Sequence, residues 1–441
     1  MSVEHGPGAT CGPGQTASPK TYDDQTHERG CQLLSWLVVT AGIGLFLTRG
    51  LYRAIGRSSD YAWNYLSTRA WLHGTNPYDL QMALAQRPAD FPASHVLEGI
   101  VTPYPPAVFP LTAPFAAMAW TSSTGAFVAV SAILWLLALR SLGQQFQLPP
   151  VRRRLFYGLA LAAYPIQTAL SLGQYSAPAI AVLILAWCVS RQERDFSAAV
   201  LGCICLALKP QIGAIFLAIV LLERRWKLSA LMLSGYGALT AAGMLPVLLG
   251  GVSIGDLREY LGSVRAVYDQ QSQQFCCINL RMITRNATGK PGLNWAIEIL
   301  VLLGLTSVLL IRARTGRLFG PLLFVAVYVL FLLAMYHRPY DLAGLVVALV
   351  WVCSRVRLDR ADIGIAICLL MFVQPIPTLA LLGTLTNANL ISLSNAGGRL
   401  DDAWQFLVIP HTTWMLVALF AFASVGWRRE RPETPSSTRL D

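Results

Sequence analysis

The sequence predicts an all-α membrane protein that crosses the bilayer many times. The chain has 441 residues, of which 54% are hydrophobic and 13% are charged, and its mean hydropathy is +0.50. Apolar runs of about membrane length recur from residue 31 to residue 426, as in successive transmembrane helices. The net charge of +11 comes largely from small arginine clusters between those runs. That distribution indicates membrane topology, and it offers no basic face for nucleic acid.

Both ends of the chain are expected to lie in the cytoplasm. Residues 1–30 are rich in Gly, Pro and polar residues, which predicts a disordered tail, and residues 428–441 are expected to form a second tail. The first apolar run has no small-residue cleavage site, so we expect a retained helix and not a signal peptide. Residues 31–427 are then expected to form a single transmembrane domain.

The basic clusters set the predicted orientation, because short cytoplasmic loops carry an excess of Lys and Arg. Placing every cluster in the cytoplasm requires an even number of crossings between successive clusters, which predicts about 12 crossings in all. Residues 106–120 are apolar but interrupted by Pro110 and Pro114, and they are expected to form a helix on the outer surface. The crossings are expected at 31–48, 123–143, 155–172, 174–190, 196–208, 211–222, 228–250, 293–311, 318–335, 342–353, 363–377 and 406–426. The long outer loops are 51–122, 251–292 and 378–405.

The stretch 59–80 is the first candidate for chemistry. Asp60, Asn64, Ser67 and Trp71 recur at spacings of three and four, which predicts one face of a short helix. The Gly-Thr-Asn-Pro run at 74–77 is expected to end that helix. A carboxylate in a cleft at a membrane surface suits a general base. The alternative is an amphipathic helix lying on the bilayer, with Asp60 as its N-cap.

Two polar junctions between apolar runs are also candidates. Lys209 stands before a proline that breaks the helix, where it suits a lipid-linked phosphate or, alternatively, snorkels to the interface. His337 and Arg338 open a cluster that ends with Asp341. That cluster suits proton sharing and phosphate binding, or an interfacial belt formed with neighbouring tyrosines.

A third junction is less informative. Gln174 follows Gly173 at a tight turn, and its amide suits a sugar hydroxyl as well as a backbone carbonyl. In the outer loop at 251–292, Arg281 and Arg285 are either phosphate contacts or ordinary solvated residues. All these polar groups fall on the predicted outer side, which favours chemistry or recognition there over a permeation pathway.

Several kinds of site are excluded by the residue pattern. Six of the nine cysteines lie in or next to apolar segments, and Cys276-Cys277 are read as two free thiols or a vicinal disulfide. No paired CxxC and no histidine spacing indicates a metal. The N-glycosylation sequon at 286–288 would be modified only in a eukaryotic secretory compartment. No P-loop, GxGxxG or GxSxG stands in a strand–helix context, so nucleotide binding and serine hydrolysis are not supported.

The ordered set of motifs resembles glycosyltransferase family 87. The residues that carry the resemblance are Asp60-Tyr61, the GTNPYD run at 74–79, Tyr104-Pro105-Pro106, Gly173-Gln174, Lys209-Pro210-Gln211, and Tyr336-His337 with Tyr340-Asp341. The resemblance spans roughly 50–345. Asp60 has no acidic neighbour, in contrast to many related families, which puts a paired-carboxylate metal site in doubt.

The resemblance implies a GT-C fold and an inverting hexosyltransferase, with mannose as the family's best-known sugar. The donor is then a polyprenyl-phosphate sugar and the acceptor a glycolipid or glycan. Asp60 is expected to be the general base, and His337 to orient Asp60 or the donor phosphate. Substrate binding is expected from Lys209, Gln211, Gln174, Arg338, Tyr104, Asn76 and Asp341. No metal or other cofactor is expected. The expected location is a bacterial plasma membrane, with the active site on the periplasmic face.

Two other classes of protein remain as alternatives. A transporter or lipid flippase without chemistry predicts repeated halves and helices interrupted near the bilayer midplane. No clear repeat is present, and the polar groups cluster on one side. A structural membrane scaffold would not explain why Lys209 and the polar cluster at 337–341 are present.

Overall fold

The computed structural model describes residues 22–92, 102–253, 278–284, 290–316, 320–373 and 410–425, together with Leu318 and scattered residues of 255–265. Within those ranges the regular elements are helices, apart from an isolated bridge between Ile278 and His337. The helices up to residue 249 are α1 Tyr22–Leu45, α2 Arg53–Arg57, α3 Ser59–Leu72, α4 Leu80–Ala85, α5 Val108–Ala116, α6 Trp120–Gln145, α7 Pro150–Ala162, α8 Tyr164–Ser171, α9 Ser176–Ser190, α10 Asp195–Leu208, α11 Pro210–Leu222 and α12 Trp226–Leu249. The later helices are α13 Arg281–Thr284, α14 Pro291–Arg314, α15 Gly320–Ala334, α16 Val346–Ser354, α17 Arg360–Leu369 and α18 His411–Val425. A π-helical segment, Phe46–Tyr52, joins α1 to α2, and 3₁₀ segments occur at Pro339–Leu345 and Leu370–Val373.

Among the described residues, four helices are long and apolar enough to cross a membrane. They are Glu28–Ile55, Trp120–Gln145, Trp226–Leu249 and Gly292–Arg314. Six shorter apolar helices, at Ser176–Ser190, Asp195–Leu208, Pro210–Leu222, Gly320–Ala334, Pro339–Ser354 and His411–Val425, coincide with further predicted crossings. At about 1.5 Å per residue, helices of that size reach only about 20–24 Å, less than the ~30 Å hydrocarbon core. The prediction of a multi-helix membrane protein is confirmed, whereas about 12 crossings stays a prediction.

Several predicted boundaries differ from the observed ones. Helix α1 begins at Tyr22, so it includes residues 22–30 that were assigned to the tail. The predicted crossing at 155–172 is two helices, because Ala163 is extended and Pro165 lies in the first turn of α8. The outer loop at 51–122 contains helices α3, α4 and α5. Helix α5, predicted over 106–120, has only 9 residues and is too short to span a bilayer.

Some predictions fall outside the described residues. These are the tail at 1–21, Cys276-Cys277, Arg285, the sequon at 286–288, the outer loop at 378–405 and the C-terminal tail at 428–441. Half of the loop at 251–292, mainly 266–277 and 285–289, also lies outside them.

Helices α9 and α15 form the centre of the bundle. Both are buried on nearly all sides, which suits helices that are apolar around the whole circumference. Helix α9 packs against α6, α10 and α11, while α15 packs against α11, α16 and α18. Helices α12 and α14 leave most of their apolar side chains exposed, as expected of helices that face lipid.

The ends of the short helices form two opposite groups. Helices α9, α10 and α11 alternate in direction, so the start of α9 lies beside the end of α10. There the Lys209 Nζ donates to Ser176 Oγ at 2.7 Å. At the opposite end, Arg191 and Glu223 pair at 3.2 Å. The polar junctions and the arginine-rich ends are therefore separated by the length of the bundle, and which end faces the cytoplasm stays a prediction.

Candidate active site

Asp60 lies in the first turn of α3. Its backbone N–H donates to Leu172 O at 3.2 Å, which fixes the start of α3 against the turn that follows α8. The N-cap is Ser58, which makes no side-chain capping bond, so the interpretation of Asp60 as the N-cap is wrong. The Asp60 carboxylate instead accepts hydrogen bonds from Ser59 Oγ at 3.2 Å and from Gln174 Nε2. Both carboxylate oxygens therefore have a donor, and the negative charge sits favourably at a helix N-terminus.

Gln174 reaches Asp60 because of the turn that carries it. Gly173 has φ of +66°, a left-handed conformation that favours glycine. A Cβ at this position would lie 2.6 Å from Tyr61 Cβ, so the close approach to α3 also requires glycine. Gln174 is 8% exposed, and its Oε1 lies 3.5 Å from the Tyr104 hydroxyl. The sequence predicts that the Gln174 amide binds a sugar hydroxyl or a backbone carbonyl. In the structure this amide contacts the Asp60 carboxylate on α3.

Lys209 forms a buried ion pair with Asp341. Pro210 prevents α10 from continuing, and Lys209 adopts an extended conformation between the two helices. Its Nζ lies 2.6 Å from Asp341 Oδ1, and the two side chains are only 6% and 2% exposed. A snorkelling lysine would reach the interface, so that interpretation of Lys209 is wrong. Asp341, predicted to bind substrate, is the counter-ion of Lys209.

His337 contacts the other oxygen of the same carboxylate. Its Nδ1 lies 3.0 Å from Asp341 Oδ2, and its side chain is fully buried. The Nε2 atom has no hydrogen-bond partner among the described residues. The backbone oxygen of His337 accepts from Ile278 N at 2.9 Å, which fixes the residue from the opposite side. His337 therefore orients Asp341, and the structure gives it no direct contact with Asp60.

Asp60 and the buried ion pair belong to one electrostatic site. Burial raises the pKa of Asp60 above its ordinary value, while the Ser59 hydroxyl, Arg338 and Lys209 lower it by smaller amounts. Lys209 Nζ also lies 5.2 Å from the centre of the Tyr340 ring, which belongs to the 3₁₀ segment Pro339–Leu345. A carboxylate with a raised pKa beside two cations suits proton abstraction next to a bound anion.

Other predicted site residues lie elsewhere or contribute differently. Asn76 Oδ1 accepts from Tyr78 N at 3.0 Å, and Asp79 caps α4 by accepting from Met82 N at 2.9 Å, so both serve a turn. Gln211 lies in the first turn of α11 and is partly exposed.

Three more predicted residues complete the placement. The Tyr104 ring packs against the Tyr175 ring at a tilt of 46°, with ring centres 4.8 Å apart. Arg338 donates through Nε to the Tyr336 hydroxyl. Arg281 lies 3.6 Å from Glu298, which gives that arginine an ionic partner within the protein. Within the described ranges, no three His, Cys, Asp or Glu side chains are grouped so as to hold a metal ion.

Ser176 and Ser59 are site residues that sequence reasoning missed. Ser176 hydrogen bonds Lys209, and Ser59 hydrogen bonds Asp60. Ser176 could have been found from the sequence, because it begins α9 only two residues after Gln174, at the predicted junction Gly173-Gln174. Ser59 carried no such signal, since a serine before a helix is most often a cap.

The family model of glycosyltransferase family 87 matches residues 102–336, which is more than half of the chain. No curated protein matches the sequence. Within the matched range lie Tyr104, Gln174, Lys209 and Gln211, whereas Asp60 and Asn76 precede it and His337, Arg338 and Asp341 follow it.

Proposed function

Because the chain belongs to glycosyltransferase family 87, we propose that it moves a hexose from a polyprenyl-phosphate donor to an acceptor glycolipid or glycan. Mannose is the first sugar to test. Family membership supports sugar transfer, and the long apolar helices support a membrane protein. The proposed location is a bacterial plasma membrane with the reaction on the periplasmic face. A lipid donor suits a chain without a nucleotide-binding motif, because the lipid tail lies between helices.

The observation that carries this proposal is the setting of Asp60. A partly buried carboxylate, held by Ser59 and Gln174, lies within electrostatic range of Lys209 and Arg338. A base near a site for an anion is what a glycosyl transfer with a phosphate leaving group requires. The raised pKa of Asp60 makes its carboxylate a stronger base. The carboxylate is still ionised at any pH above that pKa.

The proposed reaction is a single displacement. The acceptor hydroxyl loses its proton to Asp60, and its oxygen forms a bond to the anomeric carbon. The bond from that carbon to the phosphate oxygen breaks, and polyprenyl phosphate leaves with the electron pair. Attack opposite the leaving group inverts the anomeric carbon, with no covalent enzyme intermediate. The transition state resembles an oxocarbenium ion, so stabilisation of the leaving phosphate contributes more than nucleophile strength.

The leaving phosphate is proposed to meet donors that are already oriented. Two N–H groups of Lys209 are directed to Asp341 and Ser176, which leaves one N–H for a ligand. Arg338 supplies a guanidinium from the same side, and its fork geometry suits phosphate oxygens. His337 contributes indirectly, because its Nδ1–H donates to the Asp341 carboxylate that orients Lys209. No metal or other cofactor is part of this proposal.

The test is a transfer assay with membranes that contain the protein. A panel of polyprenyl-phosphate sugars is supplied, and the extracted glycolipids are identified by mass spectrometry. We expect a new hexosylated product with the wild type and its loss with Asp60→Asn. Asp79→Asn is the matched control, since Asp79 serves as the N-cap of α4 and its side chain bonds Met82 N. A transporter without chemistry would give no new product with any donor, and that result would reject the proposed function.

A further inference from the structure

We propose that Gln174 is a positioning residue for the base: its side-chain amide fixes the orientation and the charged form of Asp60. This inference rests on the proposed function, because it assigns Asp60 the role of general base. It differs from the expectation that Gln174 binds the sugar.

The first step is the way the turn holds α3. The turn after α8 contacts the start of α3 twice, through Leu172 O to Asp60 N at 3.2 Å and through Gln174 Nε2 to Asp60 Oδ2. The Gln174 backbone N–H donates to Ala169 O at 2.8 Å, which anchors the turn to α8. Because Gly173 has no Cβ, nothing separates this turn from the first turn of α3. The backbone of this turn is therefore fixed, and it places the Gln174 amide at the carboxylate.

The second step is the chemistry of the amide. An amide N–H that donates to a carboxylate stabilises the ionised form and so favours the base over its protonated state. The Gln174 Oε1 faces the Tyr104 hydroxyl at 3.5 Å, and a hydroxyl can either donate or accept. When Asp60 has taken a proton, rotation of the amide by half a turn presents its oxygen to the carboxyl O–H and its NH₂ to Tyr104. One side chain thus serves both protonation states of Asp60.

The third step is to separate this effect from the other groups that face Asp60. On its own helix the neighbour is Ser59, and from the 3₁₀ segment Arg338 and Tyr340 act on it electrostatically. Lys209 also acts on Asp60, although its charge is paired with Asp341. Replacing Gln174 leaves every one of these groups in place. A change in the titration of Asp60 then reports the amide alone.

The experiment is the pH profile of kcat/KM with polyprenyl-phosphate mannose as the probe donor. Gln174→Met removes the N–H but keeps the length of the side chain. Loss of a hydrogen bond to the charged form should move the acid limb upward by about one to two pH units. Gln174→Glu places a second carboxyl against Asp60, and a pair that shares one proton should shift the limb further. A lower rate with an unmoved limb in both variants overturns the proposal.

The matched control is Gln167→Met. Gln167 is another buried glutamine, on α8, and its Nε2 donates to Leu161 O at 3.0 Å. This change should lower stability without moving the acid limb. A limb shift as large in Gln167→Met as in Gln174→Met would show that the shift follows general loosening, and the proposal would fail.

A second readout keeps this inference separate from the proposed function. The infrared difference between wild type and Asp60→Asn isolates the carboxyl stretch of Asp60 across pH, with no substrate present. The protonated form should appear at higher pH in Gln174→Met than in the wild type. If no donor of the panel is turned over but this shift occurs, the positioning role stands and the proposed reaction fails. If transfer occurs and the infrared titration does not move, the positioning role is wrong.

Discussion

Replacing Lys209 by Met removes the ammonium and leaves the Asp341 carboxylate buried without its main partner. The two charged atoms are 2.6 Å apart, and the side chains are 6% and 2% exposed, so water cannot take the place of the lost charge. Removing one member of such a pair typically costs about 3–5 kcal/mol, because the other charge stays buried. His337 still bonds Asp341 at 3.0 Å, which favours the lower part of that range.

The double variant Lys209→Met/Asp341→Asn removes both charges. Replacing both partners of a buried pair is often close to neutral, so most of the lost stability should return. The matched control is Arg191→Met, which breaks the Arg191–Glu223 pair, where the Arg191 side chain is 40% exposed. That change should cost less than about 1 kcal/mol.

The measurement is the free energy of unfolding in detergent micelles, from denaturant titrations followed by circular dichroism. We expect a large loss in Lys209→Met, partial recovery in the double variant and little change in Arg191→Met. A loss in Lys209→Met as small as in the control, or purely additive effects in the double variant, would refute the reasoning. The folded double variant also tests the donor role, because Lys209 as a phosphate contact predicts a raised donor KM without instability.

Four further predictions concern the same site and the topology. Asp60→Asn should lower transfer by at least about a hundredfold with unchanged expression, while Asp79→Asn should be mild; near-normal turnover in Asp60→Asn removes it as the base. Because the base must be ionised and burial raises the pKa of Asp60, kcat/KM should fall as pH falls through that raised value, at higher pH than for an exposed aspartate; a flat acid side contradicts this. His337→Gln, measured as turnover against donor concentration, should mainly raise the donor KM, since His337 contacts Asp341 and not Asp60; a pure loss of kcat argues otherwise. Reporter fusions near Arg153 and Arg357 should both report a cytoplasmic location. An external location at Arg153 would reject the prediction that α5 lies on the outer surface.

The junctions that carry the candidate site residues were predictable, because each lies at a break in an apolar run. Pro210, Gly173 and Pro339 each interrupt a helix, and polar residues beside such breaks collect at one end of an alternating bundle. Helix lengths were less predictable, because a run of apolar residues does not show where a helix turns. The segment at 155–172 reads as one crossing, although Ala163 is extended between two helices.

The pairing of these residues was not predictable from sequence. Lys209 and Asp341 are separated by 132 positions, and Gln174 and Asp60 by 114. Spacing rules act over three or four residues and say nothing about contacts across such distances. The sequence therefore presented Lys209 without a counter-ion, and only its contact with Asp341 in the 3₁₀ segment reveals one.

This pairing changes how the site can hold an anion. Asp60 and Asp341 contribute two carboxylates, and Lys209 and Arg338 contribute two cations, so these four charges cancel. Net charge then gives little attraction for a donor phosphate. Stabilisation must come from the direction of individual N–H groups, whose strength depends on distance and angle more than on the number of cations. Buried groups of this kind are weakly screened by salt. The rigid fixing of Lys209 by Asp341 and Ser176 is therefore consistent with a preorganised site, in which each polar group is already in place when charge develops on the leaving phosphate.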